Sequence, residues 1–223
     1  GVKHENANQW TALNKGGYNG PTPNLFYDYD VDDVRRDITC IPYKWTGTGT
    51  AIKEPNKCFG GWSFGKLRFE WLNRIVTSTN DDGMNWQVMR YADIYLMAAE
   101  AILRGANGTE TEALGYVNEV RSRAYMSGKY AKSGVRSDVS GEIALNELSL
   151  NFILSERQKE LASELTRRTD LIRFGKYTKG NDWDWKNGIR LGGDVDDKYQ
   201  LFPIPESELT NNPALNQNDG YKQ

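Results

Sequence analysis

A chain of 223 residues with a formal net charge of −2 is long enough to bury a core, as one large domain or two small ones. It carries too little positive charge for a partner held by phosphate neutralisation, which excludes nucleic acid as the main ligand class. Its longest apolar run, around residues 94–103, is broken by Glu100 and falls short of the roughly 18–20 residues that cross a bilayer.

The first ten residues, GVKHENANQW, lack a basic, apolar leader pattern, which leaves the compartment open. Residues 1–80 read as irregular, because GGYNGPTPN, GTGT and FGGWSFG interrupt every periodicity. Only a brief helix over Asp32–Asp37 and a short strand over Lys66–Trp71 fit between the breaks. Cys40 and Cys58 show no metal-type pairing with the one histidine, His4. A loop-closing disulfide contributing roughly 3 kcal/mol and two free thiols are both open. The DYDVDD run places Asp28, Asp30, Asp32 and Asp33 together but lacks the glycine and terminal Glu of a calcium loop. Helix capping with pairing to Arg35 and Arg36 is the better use, and no metal or cofactor site is predicted.

From about Asn85 four helices are predicted. The first, RYADIYLMAAEA at 90–101 and beyond, is apolar on most sides. Trp86, Met89, Ile94, Tyr95, Leu96, Ala98, Ala101 and Ile102 are expected to be covered by neighbours, and Arg90–Asp93 and Glu100–Arg104 to pair along one stripe. A glycine stop at Gly105–Gly108 precedes a second helix behind Thr109, with Leu114, Val117, Val120 and Ala124 as its apolar face and a Glu119–Arg123 pair. The two make a helical hairpin. A third helix is predicted over Glu142–Leu165, where Glu156, Glu160 and Glu164 recur every fourth residue. Like charges at that spacing destabilise a helix unless cations answer them, and Arg157, Lys159, Arg167, Arg168 and Arg173 are the nearest in sequence. DLIRFG forms a short fourth helix ended by Gly175. Pro203, Pro205 and Pro213 keep the tail extended, with turns at Glu206–Leu209 and Asp219–Gly220.

RYADIYLMAAEA, VNEVRSRA at 117–124, ILSERQKELASELTRRTDLIRFG at 153–175 and LFPIPESEL with NPALNQNDGY at 201–221 occur in an order that resembles the SusD/RagB family of Bacteroidetes outer-membrane lipoproteins. DVDDVRR at 30–36 is similar to that family's short Asp-Arg motif. The resemblance implies a mainly α protein of tetratricopeptide-like helix pairs, an α/α superhelix, under a loop-rich, strand-poor overlay. It implies one C-terminal region over 1–223, with 1–80 as the loop-rich ligand side and 81–223 as the helical core and C-terminal strap. Family members are longer than this chain, so it corresponds to their C-terminal part. They capture glycans, or in some cases peptides, at the cell surface. A lipidated cysteine, outside this chain, anchors them to the outer membrane, where they cover a TonB-dependent SusC-like transporter. The Glu and Arg positions of ERQKELASELTRR then serve an interhelical salt-bridge network, with the PIP tail as a strap over it.

Sugar capture needs flat apolar faces for pyranose C–H surfaces and planar groups for the hydroxyls. Trp10, Tyr18, Trp45, Trp62 and Phe64 in the loop-rich half are the candidate ligand contacts, flanked by Asn14, Asn19 and Lys44. Trp183 and Trp185 form a second cluster beside Asp182 and Asp184. Nothing in the sequence singles out a catalytic carboxylate pair, a Ser/His/Asp set or a P-loop, so no catalytic residue is predicted. The function expected is non-catalytic oligosaccharide binding for delivery to the transporter. A peptide-binding or transporter-docking module is the alternative, and glycoside hydrolysis a remote one.

Overall fold

The computed structural model describes residues 21–41, 43–44, 50–51, 63–66, 87–131, 139–180 and 183–222. The chain divides into two compact units, Gly1–Arg167 and Arg168–Gln223. The partition expected near residue 80 falls outside the described residues, as does most of the strand expected over Lys66–Trp71.

Among the described residues of the first unit, α1 (Pro23–Asp28) and α2 (Val34–Thr39) precede four two-residue strands. These are β1 (Cys40–Ile41), β2 (Tyr43–Lys44), β3 (Thr50–Ala51) and β4 (Ser63–Phe64). Strand β1 pairs antiparallel with β4, Cys40 opposite Phe64, and β2 pairs antiparallel with β3, Tyr43 opposite Ala51. Then come α3 (Tyr91–Leu103), α4 (Glu110–Ala124) and α5 (Leu150–Glu160). The unit is mainly α with a strand-poor overlay, as expected. Among the described residues no helix is long and apolar enough to cross a membrane.

Local chemistry sets the ends of the hairpin. Gly105, at φ 98°, lets the chain reverse after α3, and the Ala106 N–H reaches back to the Ala101 carbonyl at 2.9 Å. Helix α4 opens on a capping box: the Thr109 side chain accepts from the Glu112 N–H while the Glu112 carboxylate accepts from the Thr109 N–H. Helix α3 packs against α4 and α5. Their shared core is Leu96 and Ala99, Ala113, Val117 and Val120, with Ile143 and Ile153. A second cluster joins Leu25, Tyr29, Cys40 and Ala162. Cys40 is a free, fully buried thiol, which burial pushes up to about 12; Cys58 lies outside the described residues.

Two expectations for the helical core change. Helix α3 is buried along one face only, since Tyr91, Ile94 and Met97 are 79%, 40% and 36% exposed, while Trp86 lies outside the described residues. Helix α5 starts eight positions later than expected, at Leu150 rather than Glu142, and ends at Glu160 rather than Leu165. The Asn118 side chain donates to the Ile143 carbonyl (3.1 Å) and accepts from its N–H (3.0 Å), satisfying in extended form the groups a helix would use. A short turn follows, and Ser149 caps α5 by accepting from the Phe152 N–H. Asn118→Ala is expected to strand both Ile143 groups and lower stability by about 1–3 kcal/mol, measurable as a reduced urea midpoint at unchanged m.

Helix α6 (Arg167–Arg173) leads into the second unit and ends at Gly175 as expected. The tail departs from a plain turn. Residues Glu206–Asn211 form a helix, α7, and the Gln217 amide clamps Ile204, accepting from its N–H (2.8 Å) and donating to its carbonyl (2.9 Å).

Candidate functional site: an aromatic cavity and a buried charge network

Glu156 and Glu160 of α5, and Glu164 in the turn after it, are answered mainly from other elements. Arg35 of α2 holds Asp33 through two nitrogens and contacts both Glu156 (2.7 Å) and Glu160 (2.8 Å). Arg121 of α4 donates to Glu156 at 2.9 Å while its guanidinium lies over Tyr125 and Phe152. Arg123 donates to Glu160. Arg90, ahead of α3, engages both Glu160 and Glu164, and Lys66 pairs with Glu164.

Several pairs therefore differ from expectation. Arg90 turns to the Glu stripe and leaves Asp93 to Arg157, at 2.8 Å. Glu119 pairs with Lys129 instead of Arg123. Glu100–Arg104 forms as expected. Within the stripe, Lys159 alone of the sequence-adjacent cations contacts Glu156, at 3.7 Å. Burial alone would raise the Glu156 carboxyl, but the charges of Arg35, Lys159 and Arg121 overcome it and hold it at about 2. Burial acts the same way on Glu160, and Arg35, Arg123 and Arg90 again bring it below the usual carboxylate range.

The DYDVDD carboxylates are committed to protein donors. Asp33 caps α2, Asp28 accepts from Ser155, and Asp30 accepts from the Tyr125 hydroxyl.

The second unit holds a cavity of about 240 Å³, below the roughly 300–1,000 Å³ of sites for drug-sized ligands and on the scale of one sugar ring. Its aromatic wall comes from Tyr177, Trp183, Trp185 and Phe202, with Tyr199 and Tyr221 beside them. Tyr177 and Trp183 pack with centroids 5.6 Å apart. The Arg168 guanidinium lies over Phe202 (4.3 Å) and Tyr177 (5.0 Å) and donates to the carbonyls of Tyr199 and Gln200. Lys186, 2% exposed, lies over Trp183 and donates to the carbonyls of Lys179 (2.8 Å) and Gly180 (3.0 Å).

The loop that presents the tryptophans is strained. Trp185 has φ 69° and Asn187 φ 56°, left-handed conformations that cost about 1–3 kcal/mol each outside glycine. The Gly188 N–H closes the turn on the Trp185 carbonyl, and the Asn187 amide ties it to the Asp194 carbonyl.

The family comparison stands beside this geometry. The model of the SusD family matches residues 8–221. The chain belongs to the SusD family. It is 36% identical over 199 residues to the starch-binding protein SusD of Bacteroides thetaiotaomicron, covering 86% of this chain and 32% of that protein. It is 28% identical over 208 residues to SusD-like protein P2 of Formosa agariphila, covering 90% and 40%. Among solved structures, a SusD homologue from Bacteroides thetaiotaomicron superposes with a TM-score of 0.64 at 25% identity, over 89% of this chain and 43% of that one. This SusD-family chain thus spans less than half the length of these relatives.

Of the ligand contacts expected from sequence, Trp10, Tyr18, Trp45 and Trp62 lie outside the described residues. Phe64, in β4, is half-buried against the Leu25–Cys40 cluster. Trp183 and Trp185 do share one cavity, while Asp184 pairs with Arg190 at 2.8 Å and Asp182 lies outside the described residues. Sequence reasoning missed Arg168, Tyr177 and Phe202. Arg168 was assigned to the Glu stripe by proximity, and no local spacing links it to Phe202.

Proposed function

We propose that this SusD-family chain is part of a non-catalytic surface receptor that binds oligosaccharide and delivers it to a SusC-like TonB-dependent transporter. The observation that carries the reading is the gathering of Tyr177, Trp183, Trp185 and Phe202 around one ring-sized cavity that also holds planar hydrogen-bonding side chains. Such walls suit the C–H faces and hydroxyls of a sugar. The 36% identity to a protein named for starch binding supports the same ligand class and supports binding over cleavage. Trp10, Tyr18, Trp45 and Trp62 are proposed as further contacts. On this reading the receptor works at the outer-membrane surface as a lipoprotein.

Calorimetric titration of the 223-residue chain with a panel of oligosaccharides and a mixed peptide pool tests this. Saturable glycan binding on the order of −4 to −8 kcal/mol is expected, with no reducing sugar released. Trp183→Ala combined with Trp185→Ala is expected to weaken it by about tenfold or more. Peptide binding with no glycan response would move the assignment to peptide capture.

A further inference from the structure

Among the described residues that line the cavity, the charge is one-sided. Arg168 and Lys186 are the charged side chains among its lining residues. Each contacts neutral carbonyls and an aromatic face, and neither has a carboxylate partner among the described residues. Burying a cation without an opposite charge is costly, and Lys186 is almost wholly buried. Elsewhere in the chain buried cations do meet carboxylates: Arg35, Arg121 and Arg157 each pair with Asp or Glu. Among the described residues the contrast is specific to the cavity.

Two of the lining residues also carry orphaned donors. Arg168 Nε and Trp185 Nε1 are buried with no hydrogen-bond acceptor among the described residues. A buried N–H without an acceptor is costly and calls for an explanation. Trp185, moreover, is held there in a strained left-handed conformation. Excess positive charge, unmet N–H donors and aromatic planes together describe a complement to a ring that bears an anionic acceptor.

We infer that this cavity selects a sugar residue carrying a carboxylate, a uronic-acid type of ring, over its neutral counterpart. The carboxylate oxygens supply the acceptors that Arg168 and Trp185 lack and the negative charge that Arg168 and Lys186 lack, while the ring's C–H face meets the aromatic wall. The aromatic wall favours a sugar over an acidic peptide, whose carboxylates hang on flexible stems with no flat apolar face. This inference rests on the glycan-binding reading and narrows it.

The test compares three probes on the full chain by calorimetry: a galacturonic-acid trisaccharide, its carboxyl-reduced neutral counterpart and an oligoglutamate peptide. The acidic trisaccharide is expected to bind about tenfold or more tightly than the neutral one. That preference is expected to shrink as salt rises from about 0.05 M to about 0.5 M, because a charge contact at an open cavity is screened. Arg168→Gln and, separately, Lys186→Met are expected to reduce the preference; the salt series on the unaltered protein reports the same charge contact should either variant fold poorly. Equal affinity for the acidic and neutral sugars would overturn this inference and leave the glycan reading standing. Oligoglutamate binding as tightly as the acidic sugar would overturn the choice of a sugar. Failure of both sugars while another oligosaccharide of the panel binds would overturn this inference alone, and silence from the whole panel would remove the glycan reading and this inference with it.

Discussion

Glu156→Ala is expected to cost about 3–5 kcal/mol of unfolding free energy, the range seen when one member of a buried ion pair is removed. The magnitude follows from what is left behind. Glu156 is fully buried, and its carboxylate is the shared partner of Arg35, Arg121 and Lys159, each of them nearly inaccessible to water. Deleting it leaves three like charges packed together: Arg35 retains Asp33 and Glu160, Arg121 retains a longer contact to Asp30 at 3.6 Å, and Lys159 has no other carboxylate partner among the described residues. The carboxylate is also a junction between elements, since Arg35 comes from α2, Arg121 from α4 and Lys159 from α5 itself. Destabilisation should therefore loosen α2 from the helical core as well as lower the global midpoint. Denaturant unfolding gives the total. Amide exchange gives the distribution, with protection expected to fall across Val34–Thr39 beyond the global change. A loss below about 1 kcal/mol would mean that the cluster is near break-even, the outcome continuum arguments allow when whole buried networks are exchanged for apolar packing.

How much of this was legible in sequence depends on the range of the interaction involved. The α3–α4 hairpin was readable because its signals are local: Gly105 after the last turn, and Thr109 three residues ahead of Glu112. The Glu156–Glu160–Glu164 stripe was readable as a demand for cations, because i,i+4 repulsion is a property of the helix alone. Its answer was not readable. Arg35, Arg90 and Arg121 are brought to it by packing from far along the chain, and nothing in their own neighbourhoods marks them as its partners. The start of α5 failed for the same reason, since the side chain that keeps Ile143 extended belongs to Asn118, 25 positions earlier. The cavity shows both sides of this. The alternating tryptophans of NDWDW announced a cluster, whereas Arg168 and Phe202, which face each other at 4.3 Å, meet only through the tertiary fold.

Acidification is expected to unfold the first unit through the same carboxylate, with stability level down to about pH 5 and falling between about pH 4.5 and about pH 2. Glu156 titrates at about 2 in the folded protein, against an ordinary value of 4.5. Between those values the unfolded chain binds a proton that the folded chain refuses. Stability therefore rises with pH through that window, is fully present above it and is lost as pH drops toward the folded value. For a wholly buried group such a difference corresponds to something on the order of 3 kcal/mol, and Glu160, displaced in the same direction by Arg35, Arg123 and Arg90, steepens the decline. The alkaline side mirrors it, because burial raises the Cys40 thiol to about 12 and raises the Tyr29 phenol. The unfolded chain releases those protons first, so stability declines as pH climbs above about 9. Glu156→Gln separates the charge from the shape. It keeps a side chain of the same size in place but has no proton to take up in this window, so its stability is expected to be lower at pH 7 and to fall less steeply below pH 4.5. An acid limb of unchanged steepness in that variant would assign the acid transition to carboxylates outside the α5 stripe.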